Sequence, residues 1–174
     1  MSMASIYIDE NKTVQIDCSA ALWSSEDWHN LKDKFTNTLC DADWIIENER
    51  YLIVVEYKNA CIRGAKKSKN FKPLSKIDNL VSKYLDTLHY LNILDKHKPR
   101  QYVCVLEYEA SEGTSRGLMR EKLKNRLFSL QEADWAKAKL IDSVLVLSVE
   151  EWNSHAEYSR FPILPIAEPK KTTE

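Results

Sequence analysis

Apolar and polar positions alternate along residues 5–17 (SIYIDENKTVQID), around a polar centre from Asp9 to Lys12. A period of two broken by polar residues predicts a small β-hairpin. Ser24-Ser25-Glu26-Asp27 has the spacing of a capping box, with Ser24 and Asp27 three apart, and predicts a helix opening there. Trp28, Leu31 and Phe35 would form its apolar stripe. Residues 43–58 (DWIIENERYLIVVEYK) place two β-rich runs on either side of Asn48, Glu49 and Arg50, which predicts a second, tighter hairpin. Its second run, Tyr51 to Tyr57, is apolar on both alternating faces until Glu56. A strand of that kind belongs in the middle of a sheet covered by helices.

Ser75-Lys76-Ile77-Asp78 has the form of another capping box, and Ile77, Leu80, Val81, Tyr84, Leu85, Leu88 and Leu91 follow at helical spacing. Lys96, His97 and Lys98 suit the C-terminal dipole of that helix, and Pro99 marks its stop. Tyr102 to Tyr108 (YVCVLEY) is a buried type of strand. Residues 114–131 predict a basic amphipathic helix with Met119, Leu123, Leu127 and Leu130 on one face. Ser143 to Val149 predicts a last apolar strand, Glu150 to Tyr158 a short helix, and the tail 162–174 an extended or frayed segment. The predicted order is hairpin, helix, hairpin, helix, strand, helix, strand, which makes a single α/β domain over residues 1–174.

Composition narrows the chemistry more than the fold. With 44% hydrophobic and 29% charged residues, the 174-residue chain has an ordinary globular balance. It has no apolar run near the roughly 20 residues of a membrane helix, and its start, Met1 to Lys12, lacks a secretory pattern. A cytoplasmic location is expected. The three glycines, Gly64, Gly113 and Gly117, exclude a Gly-rich phosphate cradle. Cys18, Cys40, Cys61 and Cys104 form no CxxC pair and read as reduced, small hydrophobes. His29, His89, His97 and His155 form no HxxxH pair. The net charge of −1 argues against a chain that grips long duplexes by charge alone, without excluding a local basic patch.

The residues that carry chemistry close the second hairpin. Glu56 and Lys58 lie two apart on one strand and share a face, while Tyr57 takes the other. If the turn centres on Glu49-Arg50, positions 43 and 56 are equidistant from it and Asp43 faces Glu56; a slip of one residue would separate them. Two facing carboxylates beside an ammonium suit metal-assisted phosphodiester hydrolysis, because Mg²⁺ takes hard oxygen ligands and commonly only one or two carboxylates. The Tyr57 backbone carbonyl can supply a further oxygen. Lys58 can orient or help deprotonate the attacking water, or stabilise transition-state charge. The structural alternative is that Glu56 and Lys58 simply pair at a solvated strand end, with Asp43 as a turn residue.

Asp43-Trp44-Ile45-Ile46, a turn, and Ile53-Val54-Val55-Glu56-Tyr57-Lys58 resemble the signature of the PD-(D/E)xK nuclease superfamily, the restriction-endonuclease-like fold. The resemblance implies a central mixed sheet flanked by helices (αβββαβ) over about residues 24–108, with a C-terminal helix–strand extension. It implies that Asp43 and Glu56 are metal ligands and Lys58 is catalytic. Ala42 stands where the name-giving proline would be, and Asp41 is a competing aspartate. Some relatives add a glutamate from the first helix, for which Glu26 is the nearest candidate.

Arg63, Lys66, Lys67, Lys69 and Lys72 follow the reaction strand and can track a nucleic-acid backbone, or form a solvated loop. Arg116, Arg120 and Lys124 recur every four residues and offer a second phosphate-contacting stripe, or an exposed helix face. Trp23, Trp28, Trp44, Trp135 and Trp152 are expected mostly in the core, with Trp44 pointing away from Asp43. The sequence thus predicts a Mg²⁺- or Mn²⁺-dependent nuclease acting on nucleic acid, DNA ahead of RNA, with a homodimer as one way to set two sites against two strands. The alternatives are a non-catalytic nucleic-acid- or protein-binding module on the same fold, and a protein-interacting accessory subunit.

Overall fold

A computed structural model of the chain describes residues 6–26, 40–60, 73–107, 112–132 and 139–166. Its strands are β1 (Ile6–Ile8), β2 (Val14–Asp17), β3 (Trp23–Ser25), β4 (Trp44–Glu47), β5 (Leu52–Asn59), β6 (Arg100–Glu107), β7 (Ser143–Leu147) and β8 (Ile163–Pro165). The α-helices among the described residues are α1 (Ile77–Ile93), α2 (Glu112–Gln131) and α3 (Val149–Ser154). The main sheet runs β3-β4-β5-β6-β7 and the smaller one β1-β2-β8. β3, β4 and β5 form an antiparallel meander, while β6 joins β5 and β7 joins β6 in parallel. The class is mixed α/β, as the alternation of apolar periods predicted.

β5 is the middle strand, and Leu52 to Val55 are fully buried on alternating faces. Burying each such aliphatic side chain stabilises the fold by about 1.5–3 kcal/mol. Leu52 and Val54 pack with α1 and α2 through Leu80, Tyr84, Leu88, Leu91, Met119, Leu123 and Leu127. Ile53, Val55 and Tyr57 pack with Val14, Ile16, Trp152, Phe161 and Ile163. Among the described residues, α1 and α2 therefore cover one face, and the small sheet with α3 covers the other, so a sheet shares the covering role that the sequence assigned to helices. The tail is the cause: Ile163–Pro165 pairs antiparallel with β2 and completes a second sheet.

The turn after β4 fixes the register of the site. Asn48 accepts the N–H of Arg50 at 2.8 Å and of Tyr51 at 2.7 Å through its side-chain oxygen, and its own N–H donates to the Tyr51 carbonyl at 3.0 Å. Such an Asx turn centres the hairpin between Glu49 and Arg50. The partners Trp44↔Val55, Ile45↔Val54, Ile46↔Ile53 and Glu47↔Leu52 follow.

Three expectations need correction. No helix opens at Ser24: Trp23–Ser25 is a strand, the Ser24 hydroxyl bonds that of Tyr7 at 2.9 Å, and buried Ser25 lies 3.4 Å from the Tyr90 hydroxyl. β3 pairs with β4, and residues 27–35, the rest of that predicted helix, lie outside the described residues. The Ser75–Asp78 box does not form, because Pro73–Lys76 is a 3-10 turn and Lys76 is the N-cap without a side-chain bond. Finally, Lys96 and Lys98 lie beyond the last turn of α1, and both pair with Glu47. Among the described residues, no helix is long and apolar enough to cross a membrane.

Candidate functional site at the open end of the β4–β5 hairpin

Asp43 directly precedes β4, and Glu56 and Lys58 end β5. The observed register, continued by one residue, sets Asp43 opposite Glu56. The hairpin stops pairing there because the Asp43 side chain replaces the ladder: its Oδ2 accepts the Tyr57 N–H at 2.7 Å. Ala42, which would answer Tyr57 in a longer ladder, instead donates its N–H to Thr87 Oγ1 at 3.2 Å. N–H and C=O of one strand residue project to the same side, so the Tyr57 carbonyl faces the opening beside Asp43. Trp44 and Tyr57 stack on the far face with ring centroids 5.9 Å apart, as the parity of the strands requires.

The Lys58 ammonium contacts Glu56 Oε1 at 2.6 Å and Asp43 Oδ2 at 4.0 Å. The three predicted side chains therefore converge. A fourth member was not foreseen. Lys83 of α1 donates to Glu56 Oε1 at 2.8 Å and Oε2 at 3.0 Å, and approaches Asp43 Oδ1 at 3.8 Å. The signal lay in a polar flank of the helix: Lys83, Asp86, Thr87 and Tyr90 recur at helical spacing beside the apolar stripe. Asp86 accepts the Cys40 N–H at 2.8 Å, and Thr87 and Tyr90 take the contacts given above. That flank therefore holds the 40–43 segment and β3 against the helix.

Glu56 is wholly buried, Asp43 and Lys83 are each 15% exposed, and Lys58 is 39% exposed. Beside Glu56 in the parallel register lies buried Cys104, with buried Tyr102 and Leu106 flanking it on β6. Burial pushes the Glu56 carboxyl up, the Asp43 charge adds to this, and the two lysines counter only part of it. Burial by itself would lower the Lys58 ammonium, but Glu56 and Asp43 outweigh it and hold the group charged. The four formal charges, two negative and two positive, cancel.

A cleft opens beside this cluster. Its walls include Asp43, Tyr57, Lys58 and Asn59, the β1–β2 turn from Ile8 to Asn11, and Glu26. Asp9 is committed to the turn, where its carboxylate accepts the N–H groups of Asn11, Thr13 and Val14 at 3.1, 2.6 and 2.7 Å. Glu26, the extra candidate, follows β3 and reaches the cleft from there. Asp41, the competing aspartate, is buried away from these walls.

The donor set fits a hard divalent cation. Asp43 Oδ1, the Glu56 carboxylate and the Tyr57 carbonyl are oxygens on adjoining strands, in the one-or-two-carboxylate number that Mg²⁺ commonly takes. Among the described residues, no group of three or more His, Cys, Asp or Glu side chains could hold a metal ion. A cation shared by Asp43 and Glu56 would have to displace the Lys83 ammonium.

The three described residues of the predicted basic set do not line this cleft. Arg63, Lys66, Lys67, Lys69 and Lys72 lie outside the described residues. Arg116 is buried and paired with Glu151 at 3.2 Å. Arg120 and Lys124 share a shallow depression with Phe128 and Asp142 beside β7, not the cleft. Comparison of the chain with family models, with curated proteins and with solved structures gives no match in any of the three.

Proposed function

We propose that this chain is a metal-dependent nuclease of the PD-(D/E)xK type, hydrolysing phosphodiester bonds of nucleic acid, with DNA ahead of RNA. One observation carries the reading: Asp43 and Glu56 meet across adjoining strands, within reach of a single Lys58 ammonium at 4.0 and 2.6 Å. The antiparallel meander followed by a helix and a parallel strand supports it, since that is the order the resemblance implies once its first helix is set aside. Asp43, Glu56 and the Tyr57 carbonyl would hold Mg²⁺ or Mn²⁺. When bound, such an ion offsets phosphate charge and makes a water molecule more acidic. Lys58 is held charged by its two acidic neighbours, which suits donation to a phosphate oxygen rather than removal of a proton from water. Its partial exposure lets the ammonium meet a strand lying in the cleft.

A second reading has its own support. Lys58 and Lys83 already satisfy Glu56, so the cluster is electrically complete without a cation, as in a non-catalytic binding module. The deciding experiment incubates the protein with single-stranded, duplex and branched DNA and with RNA, in Mg²⁺, Mn²⁺ or EDTA, beside Lys58→Ala and Asp43→Ala. Cleavage that EDTA abolishes, by the unaltered protein only, is the expected result. Equal cleavage by the variants would remove the assignment, and metal-independent binding without cleavage would favour the second reading.

A further inference from the structure

Lys83 stands where a cation shared by the two acids would stand. Its nitrogen is 2.8 and 3.0 Å from the two Glu56 oxygens and 3.8 Å from Asp43 Oδ1. Lys83 thus bridges both oxygens of Glu56 and approaches Asp43 from the Oδ1 side, whereas the closest approaches of Lys58 are to Oε1 and Oδ2. The group sits on α1, one turn before Thr87, which anchors Ala42 at 3.2 Å, so helix and acid-bearing segment are held in fixed relation. The four-carbon stem still lets the ammonium swing without moving the helix.

We propose that Lys83 is a built-in counter-ion that competes with the divalent metal for Glu56 and Asp43, and that an anionic strand in the cleft tips the competition toward the metal. The proposal rests on the metal site of the preceding section. With both lysines in place the acids are neutralised, so an entering dication adds two uncompensated positive charges. The displaced ammonium and that excess charge both call for an anion, which the phosphate groups of a nucleic-acid strand supply. Metal and substrate would therefore bind cooperatively, and the site would stay closed to free cations. Lys83 in this role acts through Glu56 and is a positioning residue.

The test is direct Mn²⁺ titration of the full chain, read by the electron paramagnetic resonance of the free ion, with and without a non-cleavable phosphorothioate duplex. Removing the competing charge in Lys83→Met should tighten Mn²⁺ binding without nucleic acid by at least about tenfold, given the strength of unit charges at contact distance. Lys83→Arg, which keeps the charge although its fork differs in shape, should not show that gain. Adding Asp43→Ala to Lys83→Met should abolish the gain. The duplex should tighten Mn²⁺ binding to the unaltered protein far more than to Lys83→Met. A merely structural lysine would not give tighter metal binding when removed, so unchanged or weaker binding by Lys83→Met overturns the proposal. If Lys83→Met fails to fold by circular dichroism, Lys83→Gln is read by the same criteria. If the unaltered protein takes no Mn²⁺ even with the duplex, the nuclease reading fails, while a gain in Lys83→Met alone would still sustain the competition.

Discussion

The two ends of the β4–β5 hairpin carry the same inventory and opposite electrostatics. At the turn, Glu47 is paired with Lys96 and with Lys98, the latter at 2.9 Å. At the open end, Glu56 is paired with Lys58 and Lys83 at 2.6 and 2.8 Å. Burial pushes the Glu47 carboxyl up, but the hydrogen bonds from its two lysines win and hold it below its ordinary value. For Glu56 burial wins, reinforced by the second acid. The difference is Asp43 and depth, since the Glu47 side chain keeps 12% of its exposure and that of Glu56 keeps none. A perturbed buried acid of this kind is more common at ligand sites than in structural ion pairs, which is why the open end carries the proposed function.

The sharpest break between the two ends concerns activity. Lys58→Ala should lower metal-dependent cleavage by about 10²–10³, the usual loss for one positioned donor at developing charge, while Lys96→Ala should leave the rate within about twofold. Comparable losses at both ends, measured as initial rates on one labelled substrate, would erase the distinction.

Stability should separate the ends by sign. Glu47 is depressed, so its contribution is present above its ordinary value of 4.5 and lost as pH falls through its lower folded value. Glu47→Gln should therefore lower the metal-free melting temperature at pH 7 by about 2–4 °C, corresponding to about 1 kcal/mol for a chain of this size. Glu56 is raised, so its favourable contribution is complete below 4.5 and disappears as pH climbs through its folded value. Relative to the unaltered protein, the metal-free melting temperature of Glu56→Gln should therefore rise as pH climbs from about 4.5 toward 7, the opposite trend to that of Glu47→Gln. Melting curves of both variants from pH 3 to 8 in EDTA decide it; two trends of the same sign would contradict the comparison.

A similar separation should follow from metal. In the presence of the non-cleavable duplex, Mg²⁺ at ten times its dissociation constant should stabilise the unaltered protein by a further increment of about 1.4 kcal/mol, about 3 °C in melting temperature. Asp43→Ala should lose that increment and Glu47→Gln should keep it. The smallest effect belongs to the exposed pair beyond the turn, where Arg160 bonds Glu49 at 2.9 and 3.1 Å. Arg160→Ala should leave the melting temperature unchanged within error at neutral pH, because solvent screens that pair.

What was legible in the sequence follows the range of the interactions. Asp43 facing Glu56 could be read because one local device, the Asn48 turn, sets the register of a short hairpin. The apolar stripe of α1 could be read because the helical period is intrinsic to the segment. Ser24 could not: Ser-Ser-Glu-Asp suits a helix start locally, and pairing with β4, about twenty residues on, makes it an edge strand, with Tyr7 and Tyr90 against its serines. Lys83 was hidden for the same reason. A lysine on a helix flank is ordinary until the fold brings Glu56 against it. β8, three residues ending in proline, has no pattern of its own and exists through its pairing with β2.

That last pairing has a bearing on how the molecule assembles. The Asn48 hairpin can close as soon as about twenty neighbouring residues are available, and α1 with β6 can dock on it shortly after. The sheet behind the cleft waits for Ile163, roughly 150 positions from its partner on β2. Acids and ammonium groups would thus be gathered first, and the wall carrying Asp9 would be secured only once Ile163 has been made. A ribosome-bound fragment ending before Ile163 should already hold the charged quartet, with the shape of its neighbouring groove still unsettled.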